Sequence, residues 1–155
     1  MKAKDFNGTI KTYSQVPKTY KNILNFHLLS DSDLESHGFY DVHRPTFNGN
    51  TQELGAIEWD SANSRFTYPV NNKTFSQTVA EMKADKIKQL DAIYNSKLSK
   101  TDWYVTRNAE KGTAIPSAIT TERDNLRSEH TTKKAEINAK TTKAQVADYT
   151  LPSII

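Results

Sequence analysis

The feature that most constrains this chain is a change of period at Asn71-Asn72. Before it, short runs of aromatic and β-branched residues are separated by Asn, Gly, Pro, Asp and Ser; after it, apolar residues recur at the spacing of a helix face. Strand side chains alternate with a period of about 2 and helix side chains with a period of about 3.6, so the halves require different structures. The predicted fold class is α+β: a small β-rich N-terminal head over 1–72, followed by a long C-terminal α-helical hairpin over 73–155 that ends in a short helix and an apolar tail.

In the head, Gly8 to Tyr13 is the predicted first strand, stopped at Val16-Pro17, where proline removes a ladder donor and restricts the residue before it. Tyr20 to Leu29 reads equally as strand or loop. Ser30 is placed as an N-cap, with Asp31 and Asp33 in the first turn and Gly38 as the closing cap, which predicts a short helix carrying Leu34 inward. Phe39 to His43, Gln52 to Trp59 and Arg65 to Val70 are predicted to complete a meander turned at Asn48-Gly49 and at Asp60-Ser61-Ala62-Asn63. Their alternation assigns Phe39, Tyr40, Trp59, Phe66 and Tyr68 to the core rather than to a ligand platform.

In the second half, Thr74-Phe75-Ser76-Gln77 matches a capping box and predicts a helix reaching about Leu98, with Val79, Met82, Ile87, Leu90, Ile93, Tyr94 and Leu98 as its apolar stripe. Thr101-Asp102 is predicted to cap a second helix ending at Gly112, and a third is predicted from near Pro116 to about Lys140. That third helix carries only Ile119, Leu126, Ala135 and Ile137, with His130 on the same side, a stripe wide enough for one line of contact. The two long helices are predicted to run antiparallel, each on the order of 35 Å. Thr142-Lys143-Ala144-Gln145 is another capping-box match before the tail from Tyr149 to Ile155.

A chain of 155 residues with 35% hydrophobic content supports one small core, so much of its length is expected to be exposed or completed by partners. The absence of cysteine removes disulfides and thiolate sites, and His27, His37, His43 and His130 show no metal-ligand spacing. No serine lies in a nucleophile elbow, no glycines form a phosphate loop, and helix capping accounts for Asp31 and Asp33. The expectation is no catalytic, cofactor-binding or metal site, and no enzyme. The net charge of +3 is spread over both signs, with Lys133-Lys134 the only adjacent basic pair, so no nucleic-acid partner is expected. No stretch approaches the roughly 18 apolar residues of a membrane span, and Met1 to Asp5 lacks a signal-peptide core, so synthesis in the cytoplasm is expected.

Trp103 and Arg107 stand four apart on the second predicted helix and therefore on one face. The first reading is a junction clamp, in which the guanidinium lies against a buried indole and reaches Glu110 or Glu122; the alternative is recognition of a partner.

The block Asp102-Trp103-Tyr104-Val105-Thr106-Arg107, followed by Glu110, Gly112, Ile115-Pro116, Arg123 and Leu126-Arg127, resembles the C-terminal block of bacteriophage tail-fibre assembly proteins and related tail-associated proteins. Leu34 to Tyr40 and Tyr68-Pro69-Val70 look like the β-rich head that precedes that block. The resemblance implies a non-catalytic protein that binds tail-fibre or baseplate protein. It is either a subunit retained in the virion tail after synthesis in the host cytoplasm or a transient fibre-assembly chaperone. A third helix rich in Thr and Lys and the apolar tail favour the retained subunit. The residues so implicated are Asp102, Trp103, Arg107, Arg123 and Leu126 as a clamp or partner-binding set. Ile119, Ile137, Leu151, Ile154 and Ile155 form the expected interface with a partner or a symmetry copy.

Overall fold

A computed structural model describes residues 1–153 and shows a mixed α+β chain in two compact units, Met1–Lys73 and Thr74–Ile155. Ile154 and Ile155, placed above in the interface, lie outside the described residues.

The first unit opens with a strand that the alternation did not reveal. β1 (Lys2–Phe6) and β2 (Thr9–Tyr13) form an antiparallel hairpin in which Phe6 faces Thr9. Between them Asn7 and Gly8 both take positive φ, 54° and 92°, the backbone that a tight hairpin turn requires and that Asn-Gly supplies at least cost. β3 (Thr19–Tyr20) and β4 (Ile23–Leu24) pair as a second, minimal hairpin, and a 3-10 turn over Phe26–Leu28 follows, which settles the ambiguous stretch as broken structure around a buried Phe26. Helix α1 (Asp31–Ser36) begins as expected, with the Ser30 hydroxyl accepting from the Asp33 amide, and ends through Gly38 at φ 82°.

β5 (Tyr40–His43), β6 (Gln52–Leu54), β7 (Glu58–Asp60), β8 (Arg65–Thr67) and β9 (Val70–Asn72) do not form the expected meander. The five-stranded sheet runs β2-β1-β5-β8-β7, with β5 parallel to β8, while β6 and β9 pair separately. The separation of β6–β9 from β7–β8 lies where Gly55, Ala56 and Ile57 stand opposite Tyr68 and Pro69: the unequal spacing breaks the ladder, and proline cannot donate to it. The bend is held by the Gly55 amide donating to the Pro69 carbonyl at 2.8 Å, and a Cβ on Gly55 would lie 2.8 Å from the Pro69 ring.

Under one face of the sheet, Phe26, Leu34 and Phe39 form the core, with Tyr13, Val16, Tyr20, Ile23 and Leu29 packed around them. Phe39 meets the rings of Tyr20 and Phe26 edge-on at 4.9 and 5.1 Å, and the Lys4 ammonium sits 5.4 Å above it while donating to the His37 carbonyl. Lys2 ties α1 to the sheet through Asp31 at 2.7 Å and Asp41 at 3.2 Å. Burial alone would depress its ammonium, but the two carboxylates outweigh that and the net shift is upward.

The second unit contains α2 (Val79–Ser99), α3 (Asp102–Lys111), α4 (Ser117–Asn138) and α5 (Lys143–Ala147). Helix α2 starts later than expected, capped by Thr78 rather than Thr74. Glu81 accepts from the Thr78 amide at 2.7 Å, and the Thr78 hydroxyl accepts from the Glu81 amide at 3.2 Å. A carboxylate suits the positive N-terminal end of a helix better than a neutral amide does, and Gln77 donates instead to Asp85. Thr78→Ala is expected to cost about 1 kcal/mol and Thr74→Ala to change stability little, as read from urea unfolding midpoints.

Cross-links between α2 and α4 run in opposite order along the two helices, so the pair is antiparallel. Lys83 donates to the Asn138 carbonyl at 2.7 Å, Asp91 meets His130 at 2.6 Å, and Arg123 donates to the Leu98 carbonyl at 2.9 Å. Leu90, Tyr94 and Ile137 form the core between them, with Ile87, Leu126, Tyr149 and Leu151 packed against it. Ala135, assigned to the apolar stripe, is exposed.

Acid should weaken both units. Contact with Lys2 holds the Asp31 carboxyl below its ordinary range, and bonds from Asn63 do the same for Asp60. In the helical unit the Thr78 amide lowers Glu81, and Lys133 with Tyr149 lowers Glu136. The folded state therefore binds fewer protons than the unfolded chain near these values, so their contribution is present above the ordinary carboxylate range, begins to fall there and is lost as pH drops through the lower values of the folded state. Urea midpoints are expected to decline from about pH 5 to pH 3, and a flat profile would contradict this account.

Candidate functional site

The junction from α2 through α3 to α4 is organised by Arg123 rather than by Trp103. Arg123 stands on the face of α4 that Leu126, His130 and Ile137 also use, and only 8% of it is exposed. Its Nη1 lies 2.9 Å from the Leu98 carbonyl, 2.7 Å from the Thr101 hydroxyl and 2.9 Å from the Asp102 carboxylate. The local field explains the choice of residue: carbonyls at the C-terminal end of α2 and the acidic first turn of α3 both present negative charge to this point. A guanidinium holds its donors in a fixed plane, so the two N–H groups of Nη1 can reach the Leu98 carbonyl and the Thr101 hydroxyl while its charge lies against the Asp102 carboxylate as an ion pair.

This corrects the junction clamp. Thr101 is buried, and its hydroxyl donates to the Leu98 carbonyl at 3.0 Å instead of capping α3. Trp103 is 50% exposed, and the ring it meets is that of Tyr104, at 3.7 Å between centroids. Arg107 is exposed and makes no ion pair or hydrogen bond among the described residues. The structure therefore brings Asp102 and Arg123 together and leaves Trp103 and Arg107 outside that contact. The Asp102–Arg123 pairing had no signal in apolar periodicity, because a buried arginine on a polar helix reads as a surface charge.

Helix α3 buries none of its own side chains, although it carries Trp103, Tyr104 and Val105 in succession. Trp103 and Arg107 stand on one face with Glu110 one further turn along, and Val105 is 41% exposed. An indole and a guanidinium side by side on an exposed face are the residue types that dominate binding energy at protein interfaces. Solvent-exposed aromatic surface of this kind is informative where a scattered leucine would not be.

The residues assigned to an interface divide differently. Ile137 is fully buried in the chain's own core, and Leu126 and Leu151 pack on the same cluster, so these positions serve internal packing because α2 supplies the face that covers them. Ile119 is half-buried. The segment carrying Leu151 is held onto the helices by Tyr149, whose carbonyl accepts from Lys86 at 3.0 Å and whose hydroxyl donates to Glu136 at 2.8 Å. Burial, with Glu136 alongside, pushes the Tyr149 hydroxyl up to about 12.

Among the described residues no group of His, Asp or Glu converges as a metal site, and no helix is long and apolar enough to cross a membrane. Comparison with protein-family models, with curated proteins and with solved structures returned no match.

Proposed function

We propose that this chain is a bacteriophage tail-associated structural protein that binds tail-fibre or baseplate protein through α3 and stays in the virion. The observation that carries this reading is Trp103, half exposed with its ring against Tyr104, on a helix whose first turn is anchored by Arg123. Such an arrangement presents an aromatic anchor in a fixed orientation, which lowers the entropy lost when a partner docks. The resemblance of the Asp102 to Arg107 block to tail-associated proteins supports the same surface. In this reading α2 and α4 form the helical hairpin that carries α3. The protein has no catalytic role, cofactor, nucleic-acid partner or membrane contact of its own. A second copy of the chain is a further candidate for its partner, and the product made in the host cytoplasm ends in the virion tail.

Mass spectrometry of gradient-purified particles tests it: the chain should be present in fixed proportion to the tail proteins. Presence in the infected-cell lysate with absence from particles would overturn retention and leave the transient chaperone. In that case fibre protein expressed alone should fail to trimerise and co-expression should rescue it.

A further inference from the structure

We propose that the open face of the five-stranded sheet binds a pyranose ring of a saccharide, with Trp59 and Tyr40 as the stacking surface, supported from below by Phe66, and Asp5 as the hydroxyl acceptor. The register builds this face. Trp59 lies directly opposite Phe66, Val42 lies opposite Phe66 on its other side, and Tyr40 is two residues from Val42, so these side chains share one surface. Ala3 faces Tyr40, and Asp5, two residues further, faces Ile10, which brings the carboxylate onto the same surface.

The rings support one another. Trp59 meets Tyr40 at 4.6 Å and Phe66 at 5.0 Å, both edge-on, so the indole is held in place although 42% of it is exposed. Phe66 is buried at the floor, and a concavity of about 320 Å³ lies over these rings, bordered by Lys4, Asp5, Ile10 and Gly38. That is near the lower end of small-ligand sites, roughly 300 Å³ and upward, and suits a single sugar unit. This exposure departs from the core placement that the alternation assigned to Trp59, which stands on the edge strand β7 with 42% of the residue open to solvent.

The polar groups narrow the ligand class. Asp5 accepts from the Gly8 amide at 2.7 Å through one oxygen, and its other oxygen, the Tyr40 hydroxyl and the Trp59 indole N–H have no protein partner among the described residues. A purely apolar occupant would desolvate these groups without replacing their bonds to water. A phosphate is disfavoured, because the Asp5 carboxylate opposes it and the Lys4 ammonium at the border is turned toward the His37 carbonyl and the ring of Phe39. An alkylammonium could use the Trp59 face and the Asp5 carboxylate but would leave the Tyr40 hydroxyl and the indole N–H without partners, and a trimethyllysine peptide that displaces the bound glycan from Trp59 and binds tighter would overturn the proposal. A pyranose offers what remains: an apolar C–H face for the indole and hydroxyls for a carboxylate and a phenol.

The full chain, fluorescently labelled at its N-terminus, would be applied to a printed array of pyranose-containing glycans. A bound glycan would then be titrated into ¹⁵N-labelled protein, with the two indole N–H signals assigned through Trp103→Phe. Binding that moves the Trp59 signal, weakens at least tenfold in Trp59→Ala, is partly restored in Trp59→Phe and falls in Asp5→Asn is the expected result. Asp5→Asn keeps an oxygen for the Gly8 amide, and an unchanged amide spectrum certifies that each variant is folded. No binding on the array, a response confined to Trp103, or full binding by a folded Trp59→Ala would overturn the proposal.

Discussion

Arg123→Ala is expected to lower the stability of the helical unit by about 2–4 kcal/mol, because it strips a charged donor from a buried junction and leaves the acceptors behind. Thr101 is 9% exposed, so its hydroxyl gains little solvent in exchange, and the arginine stem that packs above it is lost as well. The Asp102 share is smaller, since 58% of that side chain is exposed and water screens the pair. For a unit of this size the change corresponds to a fall in Tm of roughly 10–20 °C. Arg123→Lys should recover only part of it, because an ammonium on a flexible stem lacks the planar guanidinium that holds Nη1 at the junction and loses more side-chain freedom for each bond it forms. Thermal melts of the three proteins decide the matter, and an Arg123→Ala protein melting within about 2 °C of the parent would remove Arg123 from the junction.

The same residue explains how far the sequence could be read. The class of fold and the change of structure after Asn71-Asn72 follow from periodicity, because burial of one face imposes a period that survives in a single sequence. Periodicity weakens where burial is polar. Along α4 the residues that face α2 are Arg123, Leu126, His130 and Ile137, and half of them make their contact by charge or hydrogen bond, so the stripe looked thinner than it is. Tyr94 on α2 shows the same mixture: it packs against His130 at 5.2 Å, and burial, with Glu129 and Glu136 nearby, pushes its hydroxyl up to about 12.

Other departures have local causes. β1 alternates lysine with small and acidic residues, and its signal lay in the turn, Asn7-Gly8, which requires a strand on each side. The start of α2 turned on two consecutive cap patterns, Thr74 to Gln77 and Thr78 to Glu81, of which the one with glutamate at its third helical position was used. The expected meander differs in two ways: Gly55 and Pro69 split the pairing of its last two segments into β7–β8 and β6–β9, and β5 lies parallel beside β8, which leaves β7 at the edge of the sheet. Alternation identifies which residues share a face but carries no record of whether anything covers it.

Trp103→Ala should leave the free chain close to its parental stability while weakening partner binding by at least about 30-fold. A buried indole at the junction would have cost about 3–5 kcal/mol on truncation, but Trp103 is half exposed and its ring contact is with the adjacent Tyr104, so the loss is limited to about 1 kcal/mol. At an interface the same truncation removes an anchor that excludes water, and the penalty appears as faster dissociation. Arg107, exposed on the same face, should behave alike: near-parental melting and a smaller loss of binding when changed to alanine. The pair separates cleanly from Arg123, whose loss weakens the unit itself and would affect binding only through it. Melting each variant alone and measuring how much is retained in gradient-purified virions gives both axes. Parental retention of Trp103→Ala would exclude α3 as the docking surface, and a melt lowered as far as that of Arg123→Ala would return the indole to the core.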